Sequence, residues 1–212
     1  MPLYKIIKPN RHTTIYIWKI EESLTDLSQG IYLNPKSIER LDTMQSELHQ
    51  RGFLSVRHLL KVAGLSDADL YYNNYGKPLL TSGRHISISH SYYFSTIAIS
   101  DEEIGIDIEK VRKMITTIQH KFVNTDYDSL SDENLIKQLT IIWGAKEAMY
   151  KIYPYGGLSF RKHIAINPFL FKDKTSSGCV IFKDWHKFYD INFLFLEAID
   201  TFTCVYALPK KF

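Results

Sequence analysis

The sequence predicts an α+β protein of two parts, each with a helix packed on a small, mostly antiparallel sheet. Three patterns support this prediction. Short runs between residues 84 and 109 alternate apolar with other residues, as half-buried strands do. Residues 135–152 repeat apolar side chains at helical spacing. After residue 163, apolar runs of strand length are separated by turn residues. The two predicted parts span residues 1–103 and 104–212.

The first part is predicted to contain a strand, a long helix and two further strands. Asn34-Pro35 is typical of the N-cap and first residue of a helix. We predict one helix over residues 35–62, with Gly52 as a candidate break. The predicted strands are residues 14–20, 84–89 and 94–100. We expect the last two to form an antiparallel meander with residues 103–109.

A short acidic strand is the first candidate for chemistry. In Ile104–Lys110 the three isoleucines alternate with Gly105, Asp107 and Glu109. The alternation predicts a half-buried strand with both carboxylates on the face opposite the isoleucines. Two carboxylates held together on a strand make half of a site for a hard cation such as Mg²⁺ or Mn²⁺. The alternative is a solvated strand face with ordinary surface acids.

The helix over residues 135–152 contains the second candidate group. Leu139, Ala145 and Met149 belong to its predicted buried stripe, and Glu147 and Lys151 lie four residues apart on another face. Glu147 could supply a third carboxylate to the metal site, and Lys151 could contact a phosphate. The alternative is a surface ion pair, which contributes only a few tenths of a kcal/mol to stability.

The end of the chain is predicted to form the second antiparallel sheet. Phe193–Leu196 is apolar on both faces, so its strand is expected at the centre of that sheet. Cys179 and Cys204 lie in apolar runs of this region, and two cysteines form neither a disulfide framework nor a zinc site. We expect buried free thiols. The predicted strands are residues 163–167, 179–182, 190–198 and 201–208.

Composition sets limits on partners and location. The chain has 212 residues, of which 45% are hydrophobic and 23% charged, as in an ordinary soluble globular protein. A net charge of +3 is too small to indicate nucleic-acid binding, although it permits an acidic or phosphorylated partner. No apolar run is long enough to span a membrane, and the first residues lack a signal-peptide core. We therefore expect a cytoplasmic protein without a nucleic-acid or membrane partner.

Four motifs together resemble the 4′-phosphopantetheinyl transferase superfamily, in particular its longer, surfactin-synthetase-activating type. In chain order they are Gly76-Lys77-Pro78, Ile88-Ser89-His90-Ser91, Gly105–Glu109 and Trp143–Lys151. The resemblance implies a pseudo-dimer in one chain, with two similar α+β halves related by a pseudo-two-fold axis, and a monomer in solution. It also implies that residues 111–134 help to bind a carrier protein, although these residues are equally consistent with a plain connecting segment.

The resemblance further implies a reaction. The 4′-phosphopantetheine group of coenzyme A, the co-substrate, would pass to a serine hydroxyl of an apo acyl or peptidyl carrier protein, with release of 3′,5′-ADP. Asp107, Glu109 and Glu147 would hold Mg²⁺, with Mn²⁺ as an alternative. Glu147 is the candidate base for the serine proton, with a water molecule as the alternative, and Lys151 would neutralise the leaving phosphate.

Further residues would bind coenzyme A if the resemblance holds. Arg57 projects from the predicted first helix, where a solvated surface cation is the alternative, and Lys77 lies in the Gly-Lys-Pro turn. Ser89 and His90 follow the next strand, where an imidazole can donate a hydrogen bond to a phosphate oxygen. Lys146 is either a coenzyme contact or a surface cation. The first part would thus supply phosphate contacts, and the second part the metal site and catalytic helix.

One residue departs from the family pattern. The position after Trp143 commonly holds Ser, Cys or Thr in the family, and here it is Gly144. A glycine weakens a helix by about 1 kcal/mol relative to alanine. Every presumed metal ligand is still present, so we expect the substitution to be tolerated.

Two other functions stay open at this point. A coenzyme A-binding module without catalysis would bind the coenzyme without transferring it. A metal-dependent phosphohydrolase would use the same three carboxylates on water and release phosphopantetheine without a carrier protein.

Overall fold

The computed structural model describes residues 3–124 and 131–211. The chain separates into two compact units, residues 1–102 and 103–212. Each unit combines helices with an antiparallel sheet, so the α+β prediction is confirmed. Part of the segment with the implied carrier contact, residues 125–130, lies outside the described residues.

The first unit is a four-stranded antiparallel sheet with helices and a small two-stranded sheet. The main sheet has the order β1-β2-β6-β5, and β3 pairs with β4. Strand β1 was not predicted, because apolar and polar residues do not alternate along its sequence. The strands are β1 (Leu3–Asn10), β2 (Thr13–Lys19), β3 (Leu70–Tyr72), β4 (Pro78–Leu80), β5 (His85–Ser91) and β6 (Phe94–Ser100). The helices are α1 (Leu24–Ser28), α2 (Pro35–Asp42) and α3 (Glu47–Val62).

Helix α3 packs on the main sheet and forms the core of the first unit. Its apolar face buries Val56 and Leu60 against Ile97 and Ile99 of β6. Full burial of such a side chain contributes about 1.5–3 kcal/mol to stability. The helix is therefore held in place by the packing of residues 52–60, which contain its buried side chains.

The predicted first helix is two helices. Asn34 is the N-cap of α2, as predicted, and its side chain accepts a hydrogen bond from the amide of Ser37. However, the break lies at residues 43–46, and the prediction of a break at Gly52 is wrong. Gly52 lies inside α3, and its lack of a side chain leaves room for the His90 ring. A Cβ atom at Gly52 would lie 2.8 Å from Nδ1 of His90.

The second unit is a five-stranded antiparallel sheet covered by one long helix. Its strand order is β7-β11-β10-β9-β8. The strand that contains Phe193–Leu196 is β10, the central strand, as predicted. The strands are β7 (Gly105–Lys110), β8 (Ile164–Ile166), β9 (Thr175–Phe182), β10 (Trp185–Glu197) and β11 (Thr201–Pro209). The helices are α4 (Met114–Ile118), α5 (Asp132–Ile152) and α6 (Phe160–His163).

The predicted meander is wrong in its last strand. Strands β5 and β6 pair with each other in the first unit, as expected. Strand β7 pairs instead with β11, where Asp107 lies opposite Val205. Alternating hydrophobicity identifies a strand but contains no information about its partner, so neighbouring strands in the chain were wrongly joined.

Helix α5 begins three residues before the predicted start and ends at the predicted residue, Ile152. It packs mainly on β7 and β11. The buried stripe is confirmed for Leu139, Ala145 and Met149, which are fully buried. Asp132 and Glu133 lie in the first turn, where negative charge interacts favourably with the helix dipole.

Two further expectations concern cysteines and membranes. Cys179 and Cys204 are both free, but only Cys204 is buried, while Cys179 is half-buried. None of the helices in the described residues is sufficiently long and apolar to cross a lipid bilayer.

Candidate active site

Both faces of β7 are buried, so the prediction of a half-buried strand is wrong. Ile106 and Ile108 are at most 1% exposed, and on the other face Asp107 is only 5% exposed. The alternative of a solvated strand face therefore does not describe Asp107. A buried carboxylate requires partners, because transfer of an unpaired charge out of water costs a large amount of free energy.

Lys151 supplies one of these partners. Its Nζ atom donates a hydrogen bond to Oδ1 of Asp107 at 2.8 Å and another to the carbonyl of Ile106 at 2.8 Å. The lysine therefore fixes α5 to β7 at the position of the buried acid. The alternative of a surface pair between Glu147 and Lys151 does not describe the observed bonding, because Lys151 bonds across to the strand.

Helix and strand approach closely because small residues face each other. A Cβ atom at Gly105 would lie 1.8 Å from the carbonyl oxygen of Ala148, so the helix backbone touches the strand. This contact lies one turn or less from Glu147 and Lys151 on the helix and two residues from Asp107 on the strand. This contact fixes the distance between α5 and β7, and therefore the position of Glu147 and Lys151 relative to Asp107.

Glu109 is held by a residue that the motif contains but to which we assigned no role. Nε1 of Trp143 donates a hydrogen bond to Oε1 of Glu109 at 3.3 Å. The indole ring is fixed by edge contact with Phe122 and a tilted contact with Phe160. Trp143 therefore orients Glu109. This role could have been predicted from the sequence, because Trp143 lies four residues before Glu147 and therefore on the same face of the helix.

The three carboxylates interact electrostatically. Burial, and then the negative charge of Asp107, raise the pKa of Glu109 to about 7. The same two causes raise the pKa of Glu147 to about 7. Each raised pKa means that the site resists simultaneous ionisation of all three acids.

This donor set fits a hard divalent cation. Carboxylate oxygens are the ligands that Mg²⁺ prefers, and a cation would offset both the burial of the two glutamates and their repulsion by Asp107, which together raise the two pKa values. Within residues 3–124 and 131–211, no three acidic, histidine or cysteine side chains are already gathered closely enough to hold a metal. That Asp107, Glu109 and Glu147 together bind a metal therefore stays a prediction. The electrostatic interaction of Asp107 with each glutamate supports it.

Gly144 lies directly over the buried acid. A Cβ atom there would lie 3.0 Å from Cγ2 of Val205 and 3.6 Å from Oδ2 of Asp107. Val205 is the residue opposite Asp107 on β11. The departure from the family pattern therefore has a physical reason, because Val205 occupies space that a side chain at position 144 would need.

We expect Gly144→Ala to lower the free energy of unfolding by about 1 kcal/mol, although alanine favours helix, because the crowding at Val205 outweighs that gain. In a Val205→Ala background the same change is expected to be neutral or stabilising. Urea unfolding of the four proteins in this double-mutant cycle measures the coupling. Equal effects of Gly144→Ala in both backgrounds would show that Val205 is not the cause.

In the first unit, two of the predicted coenzyme A contacts, Ser89 and His90, lie on β5. Ser89 is 8% exposed, whereas His90 is exposed and packs on Gly52 of α3. Lys77 lies in the turn between β3 and β4, where its amide donates a hydrogen bond to the side chain of Asn73. These positions neither establish nor exclude phosphate binding, and the three roles stay predictions.

Arg57 has a different environment from the one we expected. It is 3% exposed, and its Nε atom donates a hydrogen bond to Oδ1 of Asp67 at 2.9 Å. It also donates to the carbonyl of Phe53 and the hydroxyl of Ser37. Because these bonds use the guanidinium group inside the core, the geometry supports a structural role and gives no support to a phosphate contact.

Lys146 is likewise buried, at 5% exposure, so the alternative of a surface cation is wrong. Its Nζ atom donates hydrogen bonds to the carbonyls of Phe160 and Ile164. Burial lowers its pKa to about 8. These bonds join α5 to α6 and β8, and they direct the ammonium group away from Asp107.

The sequence also matches known proteins in the region that contains this site. Residues 103–201 match the sequence model of the 4′-phosphopantetheinyl transferase superfamily. The match includes β7 and α5. The predicted resemblance to this superfamily is therefore confirmed for the unit with the acidic strand and the long helix.

Two bacterial relatives have the corresponding name. "4′-phosphopantetheinyl transferase gsp" of Aneurinibacillus migulanus is 28% identical over 133 residues, which cover 60% of this chain and 54% of the relative. "4′-phosphopantetheinyl transferase" of Bacillus subtilis is 31% identical over 99 residues, which cover 43% of this chain and 44% of the relative. The chain thus spans about half the length of the curated relatives it matches.

Proposed function

We propose that this protein transfers the 4′-phosphopantetheine group from coenzyme A to a serine of an apo carrier protein. The observation that supports this proposal most strongly is the buried pair of Asp107 and Lys151, beside two glutamates whose pKa values are raised to about 7. This arrangement lies inside the region that matches the superfamily. An anionic pyrophosphate requires the cationic charge that such a site can hold.

In the proposed reaction, the serine hydroxyl oxygen forms a bond to the phosphorus attached to pantetheine. The bond from that phosphorus to the bridging oxygen of the pyrophosphate breaks, and 3′,5′-ADP leaves with the electron pair. Phosphoryl transfer of this kind depends mainly on positioning and charge neutralisation. The residues that would hold the metal are Asp107, Glu109 and Glu147. When bound, Mg²⁺ would supply positive charge to polarise the phosphoryl group and offset charge on the leaving group.

The remaining roles follow from the side chains themselves. Glu147 is the candidate base for the serine proton, with a water molecule as the alternative, because contact with Mg²⁺ would make the carboxylate a weaker base. Lys151 already bonds to Asp107, and its ammonium group would place a further positive charge beside the leaving phosphate. Trp143 would keep Glu109 oriented. For the first unit we propose Lys77, Ser89 and His90 as coenzyme A contacts.

Intact-mass spectrometry of a panel of apo acyl and peptidyl carrier proteins tests this function. We expect a mass gain of one phosphopantetheine with coenzyme A and Mg²⁺, and no gain with a chelator. Glu147→Gln is expected to lower the rate by about 10²–10³-fold or more. Glu133→Gln is the matched control, because this glutamate lies exposed on the same helix and pairs only with Lys137 among the described residues.

The other outcomes separate the alternatives. Coenzyme A binding without mass gain on any carrier would favour a catalytically silent binding module. Release of phosphopantetheine without a carrier would favour a phosphohydrolase. Equal rates for Glu147→Gln and Glu133→Gln would remove Glu147 from the reaction.

A further inference from the structure

A cavity in the second unit is not used by the proposed reaction. It has a volume of about 590 Å³ and lies between α5, the segment after α4, α6 and β8. This volume is in the range of pockets that bind small organic molecules. Its walls include Gln138, Ile142 and Lys146, which are spaced four residues apart on α5. They form a different face of the helix from Glu147 and Lys151.

The cavity contains a polar group available for a ligand. Gln138 is 9% exposed and lines the cavity, and its amide forms no hydrogen bond to protein groups in the part of the chain that the structure describes. A bound molecule with a hydrogen-bonding head group would give this amide a partner.

The charged residues of the cavity wall determine whether a positively or a negatively charged head group is favoured. The wall contains no aspartate or glutamate among the described residues, whereas Lys146, Arg161 and Lys162 are cationic. Arg161 is fixed, because its Nε atom donates a hydrogen bond to Oδ1 of Asn124, which also lines the cavity. Lys162 is exposed and free to turn towards a ligand. An anion is therefore favoured over a cation.

The rest of the wall is apolar. Its apolar lining includes Ile142, Ile164, Ile166, Phe169 and Phe122. We propose that this cavity binds a small carboxylate with an apolar tail, such as a medium-chain fatty acid. The carboxylate would pair with Lys162 and the Gln138 amide, and the tail would lie against the isoleucines. This proposal does not depend on the proposed transferase activity.

Calorimetric titration of the full chain with octanoate tests the site, without coenzyme A or metal. We expect a dissociation constant of about 1 mM or tighter for a ligand of this size. Octylamine, with the same tail and the opposite charge, is expected to bind at least about tenfold more weakly. Lys162→Glu is expected to weaken octanoate binding about tenfold, whereas Lys172→Glu, an exposed lysine outside the cavity, leaves it unchanged.

A second readout locates the ligand. Cys179 lines the cavity and is half-buried, while Cys204 is fully buried, so alkylation by iodoacetamide is expected at Cys179 and absent in Cys179→Ala. Saturating octanoate should slow this alkylation at least about threefold. The proposal is overturned if octanoate does not bind, if octylamine binds equally well, or if Lys162→Glu and Lys172→Glu behave alike.

Discussion

Replacing Gly105 with alanine is expected to destabilise the second unit by about 3 kcal/mol or more. The Cβ atom would lie 1.8 Å from the carbonyl oxygen of Ala148, and the neighbour is helix backbone, which cannot rotate away. Helix α5 would have to move from β7 by roughly an ångström or more. That movement would also break the hydrogen bonds of Lys151 to Ile106 and Asp107.

Urea unfolding, followed by circular dichroism, measures this effect. Gly156→Ala is the matched control, because Gly156 lies in the same unit with open space where its Cβ would be and without a left-handed backbone. We expect the control to stay within about 0.5 kcal/mol of the unmodified protein. A similarly small effect of Gly105→Ala would mean that the helix does not rest on the strand at this residue.

The sequence allowed prediction of the elements that bear the candidate site, because local patterns are sufficient for them. Helical spacing identified α5 and its buried stripe, and alternation identified β7. The spacing within the two elements also placed Asp107 with Glu109, and Glu147 with Lys151. What the patterns could not provide was the partner of each element. β7 pairs with β11, almost a hundred residues later in the chain, and no feature of residues 104–110 indicates that choice.

The roles of the basic residues also could not be predicted from the sequence. Arg57 was expected at a coenzyme A phosphate, and Lys146 at the coenzyme or on the surface, but both are buried with protein acceptors. A basic residue on a helix satisfies a carboxylate, a carbonyl or a ligand with the same donors, so only the surrounding atoms distinguish these roles. The burial of Asp107 was also not predicted from the sequence. It results from the close approach of α5, which Gly105 and Gly144 permit, and hydrophobicity patterns do not reveal such an approach.

Mg²⁺ binding is expected to weaken about a hundredfold between pH 8 and pH 6. Glu109 and Glu147, with pKa values of about 7, must both lose a proton before they can act as metal ligands. Each group then contributes about a tenfold loss over this range. Titration of the metal at each pH, by calorimetry, measures the effect. Glu147→Gln should reduce both the affinity and the remaining pH dependence, which becomes about tenfold.

The metal-free protein should show the opposite dependence in its stability. The pKa values of these two acids are raised above the unfolded value of 4.5, so the folded state binds more protons. Their contribution to stability is fully present below pH 4.5 and is lost as the pH rises through about 7. Mg²⁺ should therefore raise the melting temperature more at pH 8 than at pH 6. An equal shift at both pH values would mean that the metal binds away from these two glutamates.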